Sequence, residues 1–158
     1  MVYKHISKFL KFFYPEGFEQ INEDRSAQVA YIKDFPCMLV RNQEQSIIIT
    51  VGCTTTGPLA FVTGSLDQPK NMEKKVQKIM APYGYVFDGF VQKSFGGKTL
   101  EGIRYSFTDR GIPMYGESYG IVINKKFIHC INFYSVKQNL EQNLATWDSV
   151  ASKAEWKE

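Results

Sequence analysis

The sequence predicts an α+β domain, an antiparallel sheet of about six or seven strands flanked by helices. Three observations carry this. Residues 99–135 alternate apolar and polar side chains through three consecutive segments, the period of half-buried strands. Gly96-Gly97, Asp109-Arg110-Gly111 and Asn124-Lys125-Lys126 punctuate them as turns. Two other stretches switch to helical spacing, one ending at Met80 and one following Ser135.

In chain order, Ile6, Phe9, Leu10 and Phe13 fall at i, i+3, i+4, i+7, a helical stripe over residues 3–13 that leaves the element type open. Tyr14-Pro15-Glu16-Gly17 stops it, because proline disfavours helix in the residue before it and glycine permits the turn. Residues 26–33 alternate as a strand, with Ala27, Val29 and Tyr31 on one side, until Phe35-Pro36. Residues 37–41 read as extended. Ile47-Ile48-Ile49-Thr50-Val51 is a β-branched run suited to a strand covered on both faces. Together these pieces predict a hairpin or short meander. Residues 54–64 read as a loop around Gly57-Pro58, with a short extended piece at 59–62.

The first clear helix spans residues 67–80, capped by Asp67 or Gln68 and opened by Pro69. Met72, Val76, Ile79 and Met80 share one face, and Lys70, Lys74 and Lys78 the other. Strands follow at 85–93, 99–108, 114–123 and 127–135. Ser135 with Gln138 has capping-box spacing, and Leu140, Leu144, Trp147 and Ala151 form the stripe of the closing helix. The charged tail, residues 153–158, is expected to fray.

A chain of 158 residues is one domain by size and buries roughly 70% of its unfolded surface, enough to fold without disulfide or metal. Residues 1–12 and 153–158 are expected at its periphery. An aromatic fraction of 15% favours strands, where flat rings pack on the pleat. The net charge of +3 is a mild, dispersed excess that points away from nucleic acid. Cys37, Cys53 and Cys130, odd in number and widely spaced, read as buried thiols in a reducing compartment. Lys4, Lys8 and Lys11 interrupt any signal-peptide core, and no apolar run approaches a membrane span. A cytoplasmic location is the expectation.

Phe13-Tyr14-Pro15-Glu16-Gly17-Phe18-Glu19 resembles the opening motif of the PsbP/Mog-like superfamily, which includes bacterial DcrB-type domains. The run Gly97-Lys98-Thr99 through Arg104-Tyr105-Ser106-Phe107, then Lys126-Phe127-Ile128 and Phe133-Tyr134-Ser135, is similar to that family's strands before its closing helix. The resemblance covers roughly residues 11–152. It implies an α/β/α sandwich and non-enzymatic work, as assembly factor, small-GTPase partner, envelope lipoprotein or effector chaperone. No lipobox leader and no acidic patch accompany it here, and its motifs carry no functional residue across.

Chemical motifs are sparse. Gly97-Lys98-Thr99 lacks the earlier glycine of a phosphate loop and precedes a strand, so it reads as a hairpin turn. His129 and Cys130 are neighbours in a strand and point to opposite faces, so no metal site is expected. Gly116-Glu117-Ser118-Tyr119-Gly120 spells a nucleophile elbow, but inside a strand rather than at a strand-to-helix turn. Asp88 with Glu101, or Asp109 with Glu117, are the carboxylate pairs available for acid–base work. No catalytic residue and no cofactor is assigned.

Odd-numbered residues of the last three strands (Ile103, Tyr105, Phe107; Tyr119, Ile121, Ile123; Phe127, His129, Ile131, Phe133) read as the core face. The other face carries a semi-apolar surface: Arg104, Ser106, Ser118, Val122, Ile128, Cys130 and Tyr134, with Gly116, Gly120 and Asn132 among them. Left uncovered, it is a groove for an apolar protein segment or a lipid-like ligand. Covered by the first helix or the N-terminal segment, it is core. The expected function is therefore a non-catalytic binding or accessory protein, chaperone-like toward an apolar segment. The alternatives are a small hydrolase or ligand-processing enzyme using His129 and a structural homodimer paired through a strand edge.

Overall fold

The computed structural model describes residues 1–32, 36–55 and 68–157. Of the loop expected at 54–64, Thr54 and Thr55 instead continue a strand, and the rest, with its extended piece and the Asp67 cap, lies outside the described residues. Ten strands and two α-helices occur in the described residues: β1 (Val2–His5), β2 (Leu10–Tyr14), β3 (Glu19–Gln20), β4 (Met38–Asn42), β5 (Ile47–Thr55), α1 (Pro69–Met80), β6 (Val86–Phe95), β7 (Lys98–Asp109), β8 (Ile112–Ile123), β9 (Phe127–Val136), α2 (Leu140–Ser152) and β10 (Glu155–Trp156). Seven strands form one antiparallel sheet in the order β3-β4-β5-β9-β8-β7-β6. The other three form a small antiparallel sheet, β1-β2-β10. This is the expected α+β architecture. No described helix is long and apolar enough to cross a membrane.

The long meander forms where alternation and turn residues place it. Arg110 and Gly111 take left-handed φ between β7 and β8, as do Asn124 and Lys125 between β8 and β9. One helix covers each face. Trp147, Val150 and Ala151 of α2 pack with Ile49, Ile131 and Phe133, joined by Leu10, Phe12 and Tyr14 of the small sheet. The Trp147 indole stacks on Phe133 at 4.9 Å between centroids, 11° from parallel. On the opposite face, Met72 and Met80 of α1 pack with Ile103, Tyr105, Phe107 and Tyr134. Lys70, Lys74 and Lys78 are exposed, as their spacing predicts.

One element left open is settled and three expectations are corrected. Residues 3–13, whose stripe left the element type open, form a hairpin. Ile6 N–H donates to the Leu10 carbonyl, and Ser7 Oγ accepts from the Phe9 and Leu10 amides, closing a turn beneath the stripe. Leu10, Phe12 and Tyr14 are then buried with strand period. Of the strand expected at 26–33, the described residues 26–32 form none: Glu23–Gln28 is a 3-10 helix, capped by Asn22 Oδ1 accepting from Arg25 N–H. Ser26 Oγ also donates to the Glu23 carbonyl, so local side-chain bonds outcompete the ladder. Ser135 makes no capping box. Its hydroxyl donates to the Val136 carbonyl and accepts from Asn143 Nδ2, and α2 starts only after a 3-10 turn at Lys137–Asn139. The tail does not fray at 155–156: β10 pairs with β2, and Trp156 Nε1 donates to the Phe95 carbonyl at 2.7 Å.

The register also redraws the two faces. Tyr105 pairs with Gly116, so odd residues of β7 share a face with even residues of β8. Tyr119 pairs with Ile131, so parity is kept from β8 to β9. Ile103, Tyr105 and Phe107 therefore belong with Ser118, Asn132 and Tyr134 under α1, while Tyr119, Ile121, Ile131 and Phe133 face α2. The tight β7–β8 turn sets this offset.

Two glycines make room for a tyrosine ring on each face of this pairing. A Cβ on Gly116 would meet the Tyr105 ring at 2.5 Å, and a Cβ on Gly102 would meet the Tyr119 ring at 2.5 Å and the Ser118 carbonyl oxygen at 2.3 Å. Each tyrosine lies across the glycine opposite it, one on each side of the sheet. This is the close approach that glycine in a strand permits.

Candidate functional site

The α1 face is not fully closed. A cleft of about 200 Å³ lies between the helix and the sheet. Met72, Lys75, Val76 and Ile79 of α1 form one wall. Tyr31, Ile32 and Pro36 line another side. The floor is made by Thr50 and Gly52 of β5, Cys130, Asn132 and Tyr134 of β9, and Tyr105 and Ser118 from β7 and β8. The gap follows from side-chain size: between the two tyrosines the floor carries Thr50, Gly52, Cys130 and Asn132, where the other face of the same strands carries Ile49, Val51, Ile131 and Phe133.

Its polar groups are largely paired with one another. Asn132 Nδ2 donates to Thr50 Oγ1 at 3.0 Å, and the Tyr105 hydroxyl and Ser118 Oγ lie 3.0 Å apart. Burial lifts the Tyr105 hydroxyl to about 12 and raises the Cys130 thiol, with the Lys75 ammonium opposing the latter. Both groups are neutral at physiological pH. The site therefore suits an uncharged, apolar occupant. At about 200 Å³ it is smaller than the usual 300–1,000 Å³ of a drug-sized pocket, and near the roughly 150 Å³ that accepts a benzene ring.

Ser118, Cys130 and Tyr134 of the predicted binding face line this cleft. Val122 and Ile128 pair with each other on the same face, half-buried and beyond the lining. Arg104 and Ser106 lie on the other face, placed there by the β7–β8 register. Arg104 is exposed and ion-pairs with Asp88 at 3.2 Å. The sequence reading missed Thr50, Gly52 and Tyr31. A threonine inside an all-aliphatic run was the available signal for the first.

The other chemical candidates resolve into structure. His129 is fully buried on the α2 face, between Phe9 and Trp156. Its Nε2 lies 2.8 Å from Ser7 Oγ, and its Nδ1 has no hydrogen-bond partner among the described residues. Burial lowers its pKa. Asp88 is held by Arg104, and Glu101 accepts from Gln92 Nε2. Glu117 is buried and accepts from the Tyr115 hydroxyl (2.6 Å), the Tyr119 hydroxyl (2.6 Å) and Trp147 Nε1 (3.0 Å). Burial and this carboxylate raise both tyrosine pKa values. The network fastens α2 to β8. Among the described residues, no group of three or more His, Cys, Asp or Glu could hold a metal ion.

Comparison with known proteins places the fold. No family model matches the chain, and no curated protein matches it by sequence. Solved structures do match. LpqN of Mycobacterium tuberculosis, involved in cell envelope biogenesis, is 11% identical with a TM-score of 0.61, over 98% of this chain and 88% of that one. CyanoP, the cyanobacterial PsbP of Synechocystis, is 12% identical with a TM-score of 0.63, over 94% and 86%. The chain has a PsbP-like fold. At such identities the likeness is one of fold alone.

Proposed function

We propose that this is a non-catalytic binding protein that receives one apolar side chain of a protein segment in the cleft beneath α1. The observation that carries the reading is the side-chain-sized gap between the methionine-bearing helix and the short side chains of Thr50, Gly52, Ser118, Cys130 and Asn132. Methionine is flexible and polarizable, and suits a surface that moulds to an occupant. His129 supports the non-catalytic reading over a hydrolase: it is solvent-free, and its hydrogen-bond partner is Ser7 rather than a carboxylate. Three free thiols favour a cytoplasmic protein. The Tyr14-Pro15-Glu16-Gly17-Phe18 turn favours the DcrB and Mog-like branches of the fold.

The test uses N-acetyl-leucine amide and N-acetyl-phenylalanine amide as probes, followed by NMR of the Met72 and Met80 methyl groups. Saturable shifts that disappear in Cys130→Phe, whose ring fills the cleft, support the reading. Methyl signals that ignore both probes, or shifts that persist in the filled variant, sink it.

A second reading rests on β6. This edge strand exposes Val86, Phe87 and Phe90 by 61%, 39% and 52%, and a long apolar edge is a template for pairing. It favours a homodimer across that edge. A sedimentation mass that stays monomeric at every concentration removes it.

A further inference from the structure

Lysines from the two ends of the sequence converge in the fold. The β1–β2 turn supplies Lys8, β2 supplies Lys11, and the residue after β10 supplies Lys157. All three line a second hollow, of about 300 Å³, with His5, Glu155 and Trp156. Glu155 is the one carboxylate in that lining. Among the described residues, no carboxylate forms an ion pair with Lys8, Lys11 or Lys157.

Aromatic rings hold Lys8 and Lys11 in place. Lys11 Nζ sits 3.9 Å from the Tyr3 ring centroid and 5.1 Å from that of Phe13. Lys8 Nζ sits 5.1 Å from Phe9 and 5.2 Å from Phe127, and Lys126 Nζ lies 5.7 Å from the same Phe127 ring. Beside them Tyr3 is 51% exposed. The small sheet thus carries a cationic hollow beside an exposed tyrosine, with phenylalanine rings under its lysines.

We propose that this face docks the protein on an anionic phospholipid surface. A headgroup phosphate occupies the hollow between Lys8, Lys11 and Lys157, and Tyr3 rests at the headgroup level. The argument is complementarity of charge and of amphipathic shape: clustered lysines are drawn to anionic lipid, and an exposed tyrosine settles at the membrane–water boundary. Single-stranded nucleic acid fits less well, because bases need open ring faces to stack on, and lysines already lie over Tyr3 and Phe127. The docking is peripheral and needs no membrane-crossing element.

The experiment is vesicle co-sedimentation with phosphatidylcholine alone and with phosphatidylglycerol added. Binding is expected only to the anionic vesicles and is expected to weaken as salt is raised. Lys8→Glu with Lys11→Glu should lower the partition coefficient about tenfold or more, with an unchanged circular dichroism spectrum and melting temperature. Lys70→Glu with Lys74→Glu, the same charge change on α1, should leave it within about twofold, because α1 packs on the opposite face of the seven-stranded sheet from the small sheet. Equal loss in the two double variants overturns the proposal, since it would report net charge rather than a site. So does binding to an oligonucleotide with none to vesicles.

Discussion

On the α2 face, Ile49, Val51, Ile131 and Phe133 stand against Trp147 with no exposed surface. One residue along the same strands, on the α1 face, Thr50, Gly52, Cys130 and Asn132 surround a cleft. Both faces are covered by a helix, and both use the same backbone. The difference lies in side-chain volume and polarity at alternate positions of β5 and β9. Coverage by a helix therefore does not make a face into core. The residues beneath must fill the space, as they do under Trp147 and do not under Met72 and Val76.

The most severe way to break this comparison is to truncate one anchor on each face. Trp147→Ala removes a fully buried indole that stacks on Phe133 and donates to Glu117, so a loss of about 3–5 kcal/mol is expected. Met72→Ala opens a space already beside a cleft, where the lining has fewer contacts to lose, and about 2 kcal/mol is expected. Urea denaturation measures both. Equal losses would mean that the two faces are packed alike.

A smaller effect separates the faces at their glycines. Gly102→Ala pushes a methyl group against the Ser118 carbonyl oxygen, and backbone in the middle of a sheet cannot give way. Gly116→Ala pushes instead against the Tyr105 ring, which borders the cleft and has room to tilt. Overpacking of this kind costs about 1–3 kcal/mol, with Gly102→Ala expected at the top of that range and Gly116→Ala at the bottom. The reverse order in thermal denaturation would show that the cleft offers Tyr105 no freedom.

Much of the fold could be read from the sequence where one physical signal acted alone. Ile103, Tyr105 and Phe107 alternate between two glycine-marked turns, and their strand formed as expected. Met72, Val76 and Met80 sit at helical spacing after a proline, and their helix formed. Failure came where two signals overlapped. Ile6, Phe9 and Leu10 satisfy a helical stripe only because a tight turn brings them together, held by the Ser7 hydroxyl. Val29 and Tyr31 alternate and are both buried, yet the chain before them is governed by Asn22 and Ser26 bonding to nearby backbone. The binding face was half legible for a related reason. Alternation places residues on two sides of one strand, but it does not say which side of the next strand they join. That depends on the register across Asp109-Arg110-Gly111, and a one-residue offset there moved Arg104 and Ser106 to the opposite face from Ser118 and Tyr134.

The mildest test concerns the one imidazole sealed into the α2 face. Ser7 Oγ already accepts two amide hydrogens, from Phe9 and Leu10, so its own proton goes to His129 Nε2. That places the histidine proton on Nδ1, which has no partner among the described residues. A second proton on the ring would put a donor against a donor at Ser7 and a charge among Phe9, Trp156 and the sheet. Burial accordingly holds the His129 pKa below the ordinary 6.5. The unfolded chain protonates first as pH falls, so the stabilising contribution is complete above about 6.5 and is lost progressively below it. Urea midpoints should therefore drop between neutral and mildly acidic pH. His129→Gln, which keeps an acceptor for Ser7 but cannot ionise, should flatten that slope while costing some stability at neutral pH. An unchanged slope in the variant would mean that this end of the α2 face admits water when the ring is charged, and that it is less tightly sealed than the packing around Trp147.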